Sequence, residues 1–152
     1  MIYSSVDPIT DVLGPWLNDV TNIWTILIRI FLATLCAGSI GFERTRKRHA
    51  AGLRTYILVC LGAAIVMMLS DYLCIIHPDT DSARLGAQVI SGIGFLGAGS
   101  ILITSKSRIK GLTTAAGLWT AACMGLAIGS GFYTLAIVAN IVILIILSVM
   151  PS

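Results

Sequence analysis

Asp81, Arg84, Gln88 and Ser91 are polar residues spaced three and four positions apart, where a polar connection leads into an apolar stretch of the chain. Residues with this spacing share one face of an α-helix, so their side chains form a polar stripe. Inside a membrane, such a stripe suits a site that admits a cation or a small ligand. It suits equally an ion-paired network that fixes the packing of neighbouring helices, and the residues alone leave both interpretations open.

A charged residue also falls where lipid would surround it. Arg29 lies about two turns inside another apolar stretch, where a charge costs at least ~2.5–3.5 kcal/mol unless it snorkels or is paired. We predict that Arg29 pairs with Asp81 as the first choice and Asp71 as the second. These three residues, with Arg84 and Gln88, form the candidate functional cluster, and whether the cluster binds a metal is left unknown.

A second polar group begins with Gly-Phe-Glu-Arg at residues 41–44 and continues with Arg54 and Thr55. Glu43 is the only glutamate in the chain and has five basic residues around it, Arg44 being the nearest. We therefore predict that Glu43 is ionised and paired. The basic residues are most simply an orientation signal, because Lys and Arg in short loops favour the cytoplasmic side.

The elements that position these residues must be membrane helices. Of the 152 residues, 57% are hydrophobic and 11% are charged, against roughly 45–50% and about 25% in soluble proteins. This composition excludes a soluble enzyme, and no nucleophile and base occur at a plausible spacing. No nucleic-acid partner is expected. The length accommodates five spans of about 20 residues each.

Intervals without charge locate the spans. The 21 residues between Arg84 and Lys106 suit one span. The 42 uncharged residues after Lys110 would reach about 63 Å as one helix, so they must fold back, most simply at Gly129-Ser130-Gly131. We predict an all-α bundle of about five transmembrane helices, at residues 22–42, 53–73, 83–104, 112–128 and 132–149.

Basic residues set the predicted orientation. Eight of the ten flank the first and third connections, so the N-terminus is predicted outside and the C-terminus in the cytoplasm. Residues 1–21 then form an extracytoplasmic segment and residues 22–152 the transmembrane domain. Short motifs recur in helices 1–2 and 3–4, which suggests a parallel repeat, although small residues recur by chance in membrane chains.

Small residues form stripes on the third and fourth predicted helices. Gly92, Gly94 and Gly97 match the spacing of a dinucleotide-binding loop, but that loop must follow a strand, and these glycines lie within a span. Small residues allow membrane helices to approach closely. We therefore predict that helices 3 and 4 form a tight central pair and that the protein is a homodimer. The predicted packing residues are Ala87, Ser91, Gly92, Gly94, Gly97, Ala98, Gly99, Gly117, Ala121, Gly125 and Gly129.

Taken in order, these motifs resemble the membrane domain of the MgtC/SapB family. The resemblance runs from about Arg29 to Tyr133 and includes Trp119 and the glycine-rich residues 92–99. It implies a multi-pass protein of the bacterial inner membrane, surrounded by the lipid bilayer and linked to magnesium homeostasis and to virulence. Longer members of the family continue after the fifth helix into a small cytoplasmic α+β domain.

The resemblance implies a non-enzymatic regulator that binds other membrane proteins, among them the F-type ATP synthase. The alternative is a transporter of Mg²⁺ or another cation, or an accessory subunit of one, that uses the polar face of helix 3. No cofactor is expected, and Mg²⁺ remains an unproven ligand.

Overall fold

The computed structural model describes residues 7–103 and 109–149. A short helix, α1 (Pro8–Leu13), and a 3-10 turn at Pro15–Asn18 precede five long helices. Each long helix corresponds to one predicted span, and its ends differ from the prediction by a few residues. These helices are α2 (Ile23–Arg46), α3 (Leu53–Ile76), α4 (Ala83–Ser100), α5 (Leu112–Gly129) and α6 (Tyr133–Val149).

The bundle is all-α as predicted, and a short two-stranded antiparallel pair lies in the connection between α4 and α5. Strand β1 (Leu102–Ile103) pairs with strand β2 (Ile109–Lys110), which explains why α4 ends at Ser100 instead of continuing to residue 104. Gly111 then starts α5 with a φ of 97°, which glycine adopts without strain. The predicted loop residues Lys106 and Arg108 lie outside the described residues.

Within residues 7–103 and 109–149, three helices, α2, α3 and α5, are long and apolar enough to cross a membrane, and α6 is a shorter apolar helix. Helix α4 is as long as α5, at 18 residues, but it is less apolar. It is therefore not among the three candidate spans. Side-chain contacts show that successive long helices run in opposite directions. Arg29, near the start of α2, bonds the last residue of α5, whereas Lys47, just after α2, bonds Leu147 at the end of α6.

Helices α3 and α5 form the centre of the bundle. A Cβ atom added to Gly125 would overlap the Cys60 carbonyl oxygen, and one added to Gly129 would lie 2.7 Å from the Met67 Cβ. The small-residue stripe of α5 therefore packs against α3, and the prediction that it packs against the third span, α4, is wrong. The spacing of small residues indicates which face permits close approach, but it carries no information about which helix approaches.

Helix α4 lies at the edge of the bundle and packs through Gly86, Ile93 and Gly97, which are buried. A Cβ on Gly97 would lie 3.6 Å from the Ala115 Cβ, whereas a Cβ on Gly92, Gly94 or Gly99 would meet no atom within 4 Å. Gly97 therefore packs as predicted, whereas Gly92, Gly94 and Gly99 lie outside the packed face of α4. The other small residues of the predicted stripe are also exposed, namely Ala87, Ser91 and Ala98.

Asp7 attaches α1 to α6. Its carboxylate accepts hydrogen bonds from the Ile9 amide at 2.9 Å, from the Thr134 amide at 2.8 Å and from the Thr134 hydroxyl at 2.6 Å. Burial by itself would raise the pKa of Asp7. The hydrogen bonds favour the charged form, and together they hold the pKa below its ordinary value of 3.8.

This carboxylate predicts an acid-labile attachment of α1. A carboxyl group whose pKa is lowered by folding stabilises the folded state above its unfolded pKa of 3.8, and that stabilisation is lost as the pH falls through the lowered value. We expect the protection of the amides of residues 9–13 against hydrogen exchange, relative to their intrinsic rates at each pH, to fall below pH 3.8, and Asp7→Ala to reduce that protection at neutral pH. Exposed Asp11 supplies the control, Asp11→Ala. Unchanged exchange in Asp7→Ala would contradict the prediction.

Candidate functional site

Arg29 is the centre of a polar cluster at the end of the bundle where α2 begins. Although charged, it is only 1% exposed. Its Nε donates to the Tyr133 hydroxyl at 3.0 Å, its Nη2 donates to the Leu17 carbonyl at 3.2 Å, and its Nη1 donates to the Gly129 carbonyl. Arg29 thereby joins the 3-10 turn, the end of α5 and the start of α6 to α2.

Tyr133 and Asp71 complete this cluster. The Tyr133 hydroxyl donates to the Leu17 carbonyl at 3.0 Å, and the Arg29 guanidinium carbon lies 5.9 Å from the centre of the Tyr133 ring. Asp71 on α3 places its Oδ2 3.9 Å from the Arg29 Nη1. The buried charge of Arg29 is thus compensated by three neutral oxygen acceptors and one carboxylate.

The acid that pairs with Arg29 is Asp71, which the sequence analysis ranked second. Asp81 was the first choice, but its Oδ1 accepts a hydrogen bond from the Ala83 amide at 2.9 Å, in the first turn of α4. This local bond satisfies the Asp81 carboxylate, whereas Asp71 is held near Arg29 by the packing of α3 on α2. Arg84 and Gln88 are exposed on α4 and do not join the cluster.

A second cluster lies at the opposite end of the bundle, where α2 ends. The Glu43 Oε1 is 2.7 Å from the Lys47 Nζ, and the Glu43 Oε2 is 3.9 Å from the Arg44 Nη1. Lys47 also donates to the carbonyls of Leu147 at 2.8 Å and Ser148 at 3.2 Å, so it caps the end of α6. The sequence predicted that Glu43 would be paired, and the structure places it between two basic side chains.

Arg44 is the buried member of this second cluster, at 1% exposure. Its Nη1 lies 3.1 Å from the His49 Nε2, while its Nε and Nη2, and the Tyr56 hydroxyl, have no hydrogen-bond partner among the described residues. Burial and the charge of Arg44 lower the pKa of His49, which favours a neutral imidazole that can accept from Arg44. Arg54 is exposed and Thr55 half-buried at the start of α3, so neither belongs to the buried cluster.

An apolar core separates the two clusters. Its central residues are small or aliphatic and almost wholly buried, and they come from α2, α3 and α5. Arg84 and Gln88 do not face this core, because they are exposed on the outer side of α4, and Asp81 is exposed in the connection just before that helix. Prominent core residues are Ala33, Ala37, Ile40, Cys60, Ala64, Ala121 and Ile128.

The described residues contain no group of three or more His, Cys, Asp or Glu side chains placed to hold a metal ion. The two buried clusters each centre on an arginine, Arg29 or Arg44, which repels a cation at short range. Their chemistry is therefore that of internal ion pairs and hydrogen bonds that join helix ends.

Sequence reasoning missed several members of these clusters. Tyr133 stood in the Gly-x-Gly-x-Tyr motif at 129–133, and that motif was the available signal for its role beside Arg29. The carbonyls of Leu17 and Gly129 gave no signal, because any residue supplies a carbonyl. Lys47 was counted among the five basic residues around Glu43 but was not singled out as its partner, although its position four residues after Glu43 permits an ion pair within one helical turn.

Comparison with known proteins gives one family. A sequence profile of the MgtC family matches residues 30–152. The "Putative magnesium transporter YhiD" of Escherichia coli is 43% identical over 128 residues, which is 81% of this chain and 59% of that protein. "Protein SapB" of Bacillus subtilis is 40% identical over 131 residues, covering 83% of this chain and 56% of that protein.

A further relative, "Protein MgtC" of Brucella abortus, is 43% identical over 112 residues, which is 74% of this chain and 45% of that protein. The chain thus spans about half the length of the curated relatives it matches, from 45% to 59%. No solved structure matches the chain at a significant level.

Proposed function

The chain belongs to the MgtC family, and from that membership we propose that it is a non-enzymatic regulator in the bacterial inner membrane, linked to magnesium limitation, that acts by binding other membrane proteins. The proposal rests mainly on one observation, which is that the polar face of α4 points outward from the bundle. Asp81, Arg84 and Gln88 are exposed at the surface of the bundle, where another membrane-embedded chain can contact them.

The position of α4 in the chain strengthens this argument. It connects α3 and α5, which are both long and apolar enough to cross a membrane, and it runs antiparallel to them. If α3 and α5 both cross, α4 must cross as well. Polar side chains that face hydrocarbon are costly unless they find a polar partner. A helix that crosses with Arg84 and Gln88 on its outer face therefore needs a protein neighbour.

The topology belongs to the same proposal. We place five helices across the membrane with the N-terminus outside and the C-terminus in the cytoplasm. The end of the bundle that carries Arg44, Lys47 and Arg54 is then cytoplasmic, as the distribution of basic residues favours. The Arg29 cluster lies at the outer end.

Transport of Mg²⁺ or another cation is the second candidate function. It is favoured by the printed name of one relative, the putative magnesium transporter YhiD, and by the presence of polar clusters at both ends of the bundle. Each of those clusters, however, contains a buried arginine, and an apolar core lies between them. A cation moving between the clusters would meet two buried positive charges and would have to cross a core built from apolar side chains.

Magnesium uptake by liposomes tests the two candidates. We expect purified protein, reconstituted with a magnesium-sensitive dye inside the vesicles, to give the same signal as empty vesicles. Uptake above empty vesicles that is lost in Asp81→Ala, but kept in Asp79→Ala, would establish the transporter instead. Asp79 is the matched control because it is an exposed acid in the same connection.

A further inference from the structure

The outer face of α4 carries a defined surface in addition to its polar residues. At 3.6 residues per turn, Arg84, Gln88 and Phe95 fall within about 40° of arc, on the side opposite to the buried Ile93 and Gly97. Phe95 is 82% exposed. The face is therefore polar toward the start of α4 and aromatic farther along, and it lies uncovered in a single chain.

Two glycines flank the exposed ring. Gly92 and Gly99 lie three residues before and four residues after Phe95, so they neighbour it on the same face. A Cβ on either glycine would meet no atom within 4 Å. Each copy of α4 thus presents a projecting aromatic ring and, beside it, bare backbone that can receive a ring.

We propose that this face is covered by a second copy of the chain, with α4 packed against α4 in a parallel two-fold dimer. A two-fold axis brings a surface against itself, so the surface must be self-complementary. Phe95 meets that condition by packing on the partner's Gly92 and Gly99. The inference rests on the proposed function only in treating the outer face of α4 as a contact surface between membrane-embedded chains.

The polar half of the face is self-complementary as well. The Gln88 amide has both a donor and an acceptor, so it can form hydrogen bonds with the partner's Gln88. Asp81 and Arg84 carry opposite charges one turn apart, so the guanidinium of each Arg84 can reach the partner's Asp81. A second copy therefore offers Arg84 and Gln88 polar partners that the chain already carries on or beside the same face.

The other glycine-rich surface of the bundle is not available for this purpose. Gly117, Gly125 and Gly129 on α5 are covered by α3 within the same chain, as their contacts with Tyr56 and Cys60 show. The dimer expected from the sequence therefore uses α4 and leaves the α5 stripe inside each subunit.

Disulfide cross-linking in membranes tests the contact. The half-buried Cys74 and Cys123 are first replaced by Ala, while the buried Cys36 and Cys60 are retained. Upon oxidation with copper phenanthroline, we expect Gln88→Cys to give at least about ten times more covalent dimer than Ile90→Cys. Ile90 is the matched control, because it is 41% exposed at the same depth but points away from the proposed axis.

Gly92→Leu provides a second test that leaves the fold of the single chain intact. A Cβ at this position meets no atom of its own subunit within 4 Å, and we expect the Leu side chain to fill the groove for the partner's Phe95. We expect the dissociation constant of the dimer in mild detergent to rise at least about tenfold, while Gly62→Leu, at an equally bare glycine on α3, has no effect.

Equal cross-linking at positions 88 and 90, or a dimer that survives Gly92→Leu unchanged, would overturn the α4 dimer. A cross-linked dimer that also takes up Mg²⁺ into liposomes would leave this inference standing and overturn the proposed function. The two proposals therefore fail by different results.

Discussion

Gly125→Leu is expected to destabilise the bundle by more than about 4 kcal/mol, the range reached by the most damaging single substitutions. Helices α3 and α5 approach so closely at this point that even a Cβ atom would overlap the Cys60 carbonyl oxygen and lie 2.9 Å from the Ala63 Cβ. The obstacle is largely backbone, so a change of side-chain rotamer cannot relieve it. Three further carbons require the two central helices to separate.

The measurement is the free energy of unfolding in detergent micelles, followed by helical circular dichroism. Gly62→Leu is the matched control, because it adds the same side chain to an exposed glycine of α3 with nothing within 4 Å. We expect the control to unfold like the parent protein. Equal stability of the two variants would contradict the packing of α5 on α3.

Arg29→Met is expected to cost ~3–5 kcal/mol, the usual range when one member of a buried charged group is removed. The substitution leaves the Asp71 carboxylate without its counter-charge. It also removes the donors that reach Leu17, Gly129 and Tyr133. Because Asp71 is 27% exposed and lies at 3.9 Å, we expect Asp71→Asn to cost clearly less.

A double-mutant cycle on Arg29 and Asp71 measures the coupling directly. We expect the double variant to recover part of the loss, because neither charge is then stranded, but not all of it, because the carbonyl acceptors stay unsatisfied. Asp81→Asn is the control and should leave the melting temperature unchanged. Additive losses at Arg29 and Asp71, or coupling of Arg29 to Asp81, would refute the observed pairing.

Much of the fold could be predicted from the sequence, because a membrane helix requires a long apolar stretch with few charges and such stretches can be located directly. The intervals between charges predicted all five long helices, and Gly129-Ser130-Gly131 correctly marked the turn between α5 and α6. The short strand pair was missed, because two residues per strand are too few to show an alternating pattern. The parallel repeat and the orientation in the membrane stay predictions.

Tertiary partners were harder to predict, and the reason is physical. The spacing of Gly117, Ala121, Gly125 and Gly129 predicted a closely packed face, but α3 and α4 were equally acceptable as its neighbour. The same limit applies to Arg29. Its burial predicted a counter-charge, yet the choice between Asp71 and Asp81 depended on which acid already had a local hydrogen bond.

Helix α4 shows how the structure changes the meaning of a sequence pattern. The sequence predicted that Asp81, Arg84 and Gln88 share one helix face, which left a ligand path and a packing network as alternatives; Arg84 and Gln88 share a face of α4, and Asp81 lies just before the helix. The structure turns that face outward, away from the apolar core. A polar face on the outside of a membrane bundle is explained better by contact with another chain than by a path through the chain itself.

Photo-cross-linking in intact bacterial membranes tests most directly whether the outer face of α4 is a protein contact. Benzoylphenylalanine is placed at Phe95 in one variant and at Phe31 in another, since Phe31 is a 63% exposed aromatic residue on α2. We predict a discrete adduct of twice the subunit mass from position 95 and none from position 31. The absence of any protein adduct at position 95 above the level at position 31 would contradict the account.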